Sequence, residues 1–161
     1  MPSLPPADFI SVLKQLNAAT GYLGLGMPLD AWNELEEIDA DKRTLPEVAK
    51  VRVDVCMALE KWEMMSELCQ YLQEAEPNEV GHALQLAYAT RRHKNVETAA
   101  VVLEAALRKY YDDALVRYNL SCYYCVMGRI EESRKMLASA FKKDGGLRDL
   151  AETDEDLAAL R

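Results

Sequence analysis

This chain of 161 residues is poor in basic residues, histidine, tryptophan and long apolar runs, and each shortage excludes something. Nineteen Lys and Arg against 27 Asp and Glu leave a net charge of −8. Such a balance repels phosphate backbones and anionic lipid, so neither nucleic acid nor a membrane surface is expected as partner. No apolar run approaches the ~20 residues that cross a bilayer. The opening Met1-Pro2-Ser3-Leu4-Pro5-Pro6 has no basic stretch and no apolar segment of secretory type, so a cytoplasmic location is expected. No segment alternates apolar and polar residues in the manner of a half-buried strand, which argues against a sheet. Phosphate-cradling glycine loops, zinc-protease helix motifs and nucleophile elbows are missing too. A non-enzymatic chain without a cofactor is the expectation.

Only Cys122-Tyr123-Tyr124-Cys125 has the spacing of a metal or redox pair. A zinc site needs four ligands, and the two histidines with the distant Cys56 and Cys69 make an implausible set. A redox pair needs a strand-to-helix setting that this sequence lacks. All four cysteines therefore read as reduced thiols, small apolar residues on helix faces.

What is present is periodicity. Half the residues are hydrophobic and 29% are charged, ordinary for one globular domain over residues 1–161. Apolar residues fall at helical spacings of three and four throughout. Above that runs a longer period of about 34 residues, the signature of stacked helix–turn–helix units. Leu35, Cys69, Leu103 and Leu137 form one series, and Ile38, Leu72, Ala106 and Ala140 a second. Ala31, Met65, Ala99 and Ser133 form a mostly small third series, and Tyr22, Cys56, Thr90 and Tyr124 a fourth.

The breaks agree with that period. Gly24, Gly26 and Pro28 divide a helix over residues 7–24 from one over 29–40, in which Trp32, Leu35 and Ile38 are expected to be buried. Thr44-Leu45-Pro46-Glu47 reads as a capping box opening a helix to about Leu59, with a partner from Trp62 to Glu74. Asn78 is expected to cap a third pair, residues 79–92 and 96–109. Asp112 or Asp113 is expected to cap a fourth, 114–127 and 130–143. Hairpins then fall at about 7–40, 45–75, 79–109 and 113–143, and Gly145-Gly146 ends the series. The capping segment 146–160 is expected to cover the fourth hairpin, with Glu152, Asp154, Glu155 and Asp156 making a polar outer surface. The predicted fold is all-α: a right-handed α-solenoid of about four hairpins with a C-terminal capping helix.

On these residues the chain resembles the tetratricopeptide repeat family. The likeness is carried by Leu86, Ala87, Ala99, Leu103 and Ala106, answered one period later by Leu120, Ser121, Tyr124, Gly128, Ser133, Leu137 and Ala140. Trp62 and Pro77 fall in the family's turn-side aromatic and closing proline slots. Met65 departs from a normally small slot and Arg52 from a normally apolar one. The resemblance implies a protein-binding module whose first helices line a concave groove. It does not extend to the two-carboxylate clamp that some members use for acidic peptide ends, because Leu16, Thr20, Gly81 and Gln85 stand at matching slots and only Asn119 suits.

By phase, the groove would be lined by Lys50, Asp54 and Met57, by Leu84, Tyr88 and Arg91, and by Tyr118, Asn119, Cys122 and Cys125, with Leu16, Thr20 and Leu23 before them. Tyrosine and arginine are over-represented at interface hot spots, which favours Tyr88 and Arg91 as partner contacts. The alternative for Tyr118, Cys122 and Leu16 is that a terminal segment packs on them and closes the groove. Arg91-Arg92-His93-Lys94 also reads as a solvated helix end, the alternative being a contact to an acidic partner. The expected partner is another protein or peptide, held by an adaptor or scaffold. The alternative is a small secretion chaperone gripping an apolar partner segment. Homodimer formation through Phe9, Trp32 or Met64 stays open beside a plain core role.

Overall fold

The computed structural model describes residues 6–161, with side chains from Phe9 onward. Residues 1–5, and with them the expectation drawn from the opening segment and any closure of the groove by it, lie outside the described residues. All regular structure among the described residues is helical, and the helices gather into two compact units divided after Pro77.

The first unit holds α1 (Pro6–Gly24), α2 (Pro28–Glu36), α3 (Pro46–Ala58) and α4 (Trp62–Ala75). Here α1 pairs with α2, α3 pairs with α4, and α3 also packs on α1 and α2. Val12, Leu16, Ala19, Ala31, Leu35, Ile38, Val48 and Val55 form its core. Leu16 thus lies in the core rather than on an open face. The second unit holds α5 (Val80–His93), α6 (Val96–Lys109), α7 (Ala114–Val126), α8 (Ile130–Lys143) and α9 (Leu147–Thr153), and ends in a 3₁₀ helix, Glu155–Leu160. In it α5 pairs with α6 and α7 with α8, α6 packs on α7, and the 3₁₀ helix lies against α7.

Small residues let the paired helices of the second unit approach closely. Ala87, Ala99, Ser121, Ser133 and Ala140 have no exposed surface. Ser121 and Ser133 satisfy their buried hydroxyls reciprocally: Ser133 Oγ donates to the Ser121 carbonyl at 2.8 Å, and Ser121 Oγ donates to the Ser133 carbonyl at 3.1 Å. An apolar hairpin seam tolerates two hydroxyls only when each has such a partner.

The first unit solves its irregular positions with charge. Arg52, standing in an apolar slot, forms an ion pair with Glu36 and lays its guanidinium over the Trp32 ring at 5.2 Å. Lys61 covers the same ring at 5.0 Å. Trp32 is therefore half-buried between cations, not fully buried as the spacing suggested. Arg43 binds the same Glu36 carboxylate at 2.7 Å, and its Nε donates to the Ile38 carbonyl at 2.7 Å. A further Arg43 donor takes the Glu36 carbonyl. These side-chain donors replace the amides that would continue α2, so the helix stops at Glu36 and not at residue 40.

The turn inside three of the four hairpins repeats the long period in the backbone. Gly26, Glu60 and Gly128 stand 34 residues apart or twice that, and all have positive φ, at 71°, 55° and 76°. At each, the next amide reaches back to a helix carbonyl: Met27 to Tyr22 at 2.9 Å, Lys61 to Cys56 at 2.8 Å and Arg129 to Tyr124 at 2.8 Å. This is the left-handed C-terminal cap that glycine favours. The third hairpin departs from it. Lys94 keeps a negative φ of −119°, and Asn95 caps α6 by accepting the Thr98 amide at 2.7 Å.

Two expected caps are not made. Thr44 does not cap α3: Leu45 takes the N-cap position, Pro46 opens the helix, and the Thr44 hydroxyl donates to the Asp41 carbonyl. The helix starts one residue later than the capping box requires. Asn78 likewise stands too early, since Glu79 is the N-cap of α5 and makes no side-chain cap. Asp113 does cap α7, accepting the Val116 amide at 2.8 Å.

Candidate functional site

Of the residues singled out from phase, Leu16, Thr20 and Leu23 fall on α1 and the others on α3, α5 and α7, each the first helix of its pair. In the first unit, Lys50, Asp54 and Met57 form one stripe of α3 at helical spacings of four and three. Asp54 and Met57 are exposed, while Lys50 is half-exposed and paired with Glu76 at 2.8 Å.

In the second unit, α5 and α7 bring the remaining residues together. Tyr88, Arg91, Asn119 and Cys122 line one hollow of about 560 Å³, together with Arg92, Tyr123, Asp154, Glu155 and Asp156. Leu84 and Tyr118 stand beside it, Leu84 half-buried in the core and Tyr118 only 3% exposed. Arg92 and Tyr88, four residues apart on α5, form an open rim: the guanidinium lies 5.0 Å over the ring and donates to Tyr88 Oη at 3.0 Å. Asn119 is half-buried, and its amide donates to the Leu115 carbonyl at 2.8 Å.

The floor of the hollow is built by the chain's own tail. Asp154 ends α9 and caps the 3₁₀ helix by accepting the Asp156 amide at 3.0 Å. Its other carboxylate oxygen accepts from Tyr118 Oη at 2.8 Å and from Cys122 Sγ at 3.6 Å. Asp156 takes a two-pronged grip from Arg91, one arm through Nη1 and one from Nη2 to Oδ1 at 2.8 Å. The Arg91 guanidinium also lies 5.2 Å from the Tyr123 ring centre. Leu157, 1% exposed, seals the contact.

These contacts correct the reading of the tail. Asp154 and Asp156 do not lie on a polar outer surface; they turn inward, because α7 and α5 present hydrogen-bond donors to them. Arg91 is correspondingly an ion-pair partner and not a solvated helix end. Arg92, Tyr123 and the two aspartates were not among the residues picked out by phase. Their only signal was the conjunction of a basic helix end with an Asp-x-Asp step some 65 residues later.

Electrostatics follow from burial. The Asp156 carboxylate holds the Arg91 pKa up. Burial, together with the adjacent Asp154 carboxylate, pushes both the Cys122 thiol and the Tyr118 phenol far above their ordinary ranges. In the first unit burial raises Cys56 to about 11 and Cys69 to about 12. Thiols held this firmly protonated are poor nucleophiles and poor metal ligands. All four cysteines are free and buried.

Antiparallel helical hairpins whose first helices carry the candidate face define a helical-repeat protein. More particularly, the chain has the fold of the tetratricopeptide-repeat proteins. It superposes on the crystal structure of MamA with a TM-score of 0.73 at 14% identity, over 86% of this chain and 81% of that one. MamA from Desulfovibrio magneticus RS-1, from residue 41 to its end, gives 0.69 at 18% identity over 89% and 78%. YrrB, described as a TPR protein with an unusual peptide-binding site, gives 0.64 at 13% identity over 89% and 79%. No protein-family model and no curated protein matches by sequence.

Proposed function

We propose that this protein is a non-enzymatic interaction module that binds a segment of another protein on the first-helix faces of its hairpins. The observation that carries the reading is the hollow on α5 and α7, where an exposed tyrosine–arginine pair, an amide and a second arginine converge. Such a group offers large, stiff contact area with polar handles, the composition of an interface centre. The peptide-binding site ascribed to YrrB, a protein of the same fold, agrees with it. On α3, Lys50, Asp54 and Met57 are the corresponding contacts of the first unit.

The role is that of an adaptor or scaffold in the cytoplasm. Among the described residues, no helix is long and apolar enough to cross a membrane. The exposed apolar run Phe9, Ile10 and Leu13 on α1 favours a second reading, a secretion chaperone that holds an apolar client.

Affinity capture by the tagged full chain from its native host tests both. Tyr88→Ala with Arg92→Glu removes the open rim without touching the core, so a specific partner should be lost while the thermal midpoint moves by no more than a degree or two. Capture that persists unchanged overturns the assignment of this face. A captured client that is an apolar secreted protein favours the chaperone role.

A further inference from the structure

The hollow of the second unit already holds an occupant, and the chemistry of that occupant describes what the face accepts. We propose that residues 154–160 are a built-in ligand of the partner-binding face on α5 and α7, and that the partner displaces them with an acidic segment of the same pattern: two aspartates two residues apart, the second followed directly by leucine. The inference rests on the interaction-module reading and names the chemistry of the partner.

The receiving groups are all donors. Arg91 supplies a two-pronged guanidinium, and Tyr118 and Cys122, one turn apart on α7, supply O–H and S–H. A ligand must therefore bring acceptors, and guanidinium forks match carboxylates best. Asp154 and Asp156 meet that requirement from inside the chain, while Leu157 fills the apolar seat beside them.

The occupant is short, and two leucines anchor it, Leu157 in the core and Leu160 packed against that core. It is a six-residue 3₁₀ helix, in which Glu155, Ala158 and Ala159 are exposed. Leu157 is its one buried residue. The Arg91–Asp156 pair remains reachable by solvent, its side chains 29% and 27% exposed, so an incoming carboxylate can compete for the guanidinium. Arg161 folds the segment onto itself, donating to the carbonyls of Ala151, Glu152 and Asp154. It adds no bond to α5 or α7. The adjoining rim of Tyr88, Arg92 and Asn119 leaves room for a ligand longer than the tail.

A fluorescent peptide with the sequence of residues 152–161 is the probe, titrated by anisotropy against the full chain. Wild type should bind it weakly, because its own segment competes. The full chain carrying D154N, D156N and L157S should bind it at least tenfold more tightly. Arg91→Ala added to that chain, or a peptide with both aspartates changed to asparagine, should lose the gain. Circular dichroism checks that the helices persist; if the triple variant loses them, D154N with D156N alone is measured against the same threshold. Equal affinity for wild type and the released chain, or equal affinity of the aspartate and asparagine peptides, overturns the proposal. If the peptide fails while Tyr88→Ala with Arg92→Glu still abolishes partner capture, the built-in ligand falls and the interaction module stands.

Discussion

The two units use one repeat in two ways. From Asn78 onward the small positions hold alanine or serine, the helices close on them, and the seam is satisfied by the reciprocal Ser121–Ser133 pair. Before Pro77 Ala31 keeps the small residue of its slot, but other slots hold individual residues. Met65 lies fully buried where a small side chain is usual, and Arg52 reaches Glu36 and Trp32. The first unit also exposes Phe9, Ile10, Leu13, Leu25 and Leu29. A repeat thus fixes backbone geometry more tightly than side-chain identity, because neighbouring residues can be rebuilt around a misfit. A misfit that is fully packed, or whose charge finds a counter-charge, is no longer a defect.

The largest expected effect comes from exchanging the residues at one repeat position between units. Met65 and Ala99 occupy the same slot, and both are completely buried. Met65→Ala restores the usual small residue but leaves a cavity, and should cost about 3 kcal/mol. Ala99→Met pushes two closely packed helices apart, and should cost about 2 kcal/mol. Urea denaturation measures both. A neutral or stabilising Met65→Ala would mean that the first unit is a poor copy of the repeat and not an individually packed one.

High pH tests the same contrast through the thiols. In the first unit burial raises Cys56 to about 11 and Cys69 to about 12 from an ordinary 9.0. Their unfolded forms ionise above pH 9 while the folded forms stay protonated. The stability they contribute is therefore complete below pH 9 and is lost as pH climbs towards 11 and 12. At pH 10, one unit past the ordinary value, each thiol should favour unfolding by about 1.4 kcal/mol relative to neutral pH. Cys69→Ala should remove its share, so the loss between pH 8 and pH 10 should be smaller in the variant than in wild type. Parallel slopes would mean that Cys69 is not buried as described. In the second unit, Cys122 is raised by charge as well as by burial, and Asp154→Asn should ease it.

Much of this architecture could be read from the sequence, because helix pairing leaves a local record. The 34-residue series fixed the hairpins, and glycine and proline marked most ends to within a residue or two. The α2 terminus at Glu36 was not legible, since it depends on Arg43 folding back onto carbonyls that sequence spacing does not connect. Nor was the inward turn of Asp154 and Asp156. A carboxylate looks the same in sequence whether it faces water or an arginine 65 residues away, and only the packing of the 3₁₀ helix on α7 decides. The hollow combines both cases: Tyr88, Arg91, Asn119 and Cys122 follow from helical phase, whereas its floor follows from tertiary contact alone.

The smallest expected effect lies in the hairpin turns, where the backbone repeats and the residue does not. Gly26 and Gly128 take positive φ without penalty, whereas Glu60 takes a φ of 55° with a side chain attached. A left-handed conformation costs an ordinary residue roughly 1–2 kcal/mol, but glycine gives back part of any gain through the greater freedom of its unfolded chain. Glu60→Gly should therefore raise stability by only about 0.5 kcal/mol. Glu60→Asn should do about as well, because asparagine tolerates this region and loses less entropy. In the opposite direction, Gly128→Ala should cost about 1 kcal/mol. Beyond its chain neighbours no atom lies within 4 Å of the added methyl, so the backbone conformation sets that cost. Thermal midpoints of the three variants measure this directly. Destabilisation by Glu60→Gly would show that the Glu60 side chain, like those of Met65 and Arg52, has a role of its own in the first unit.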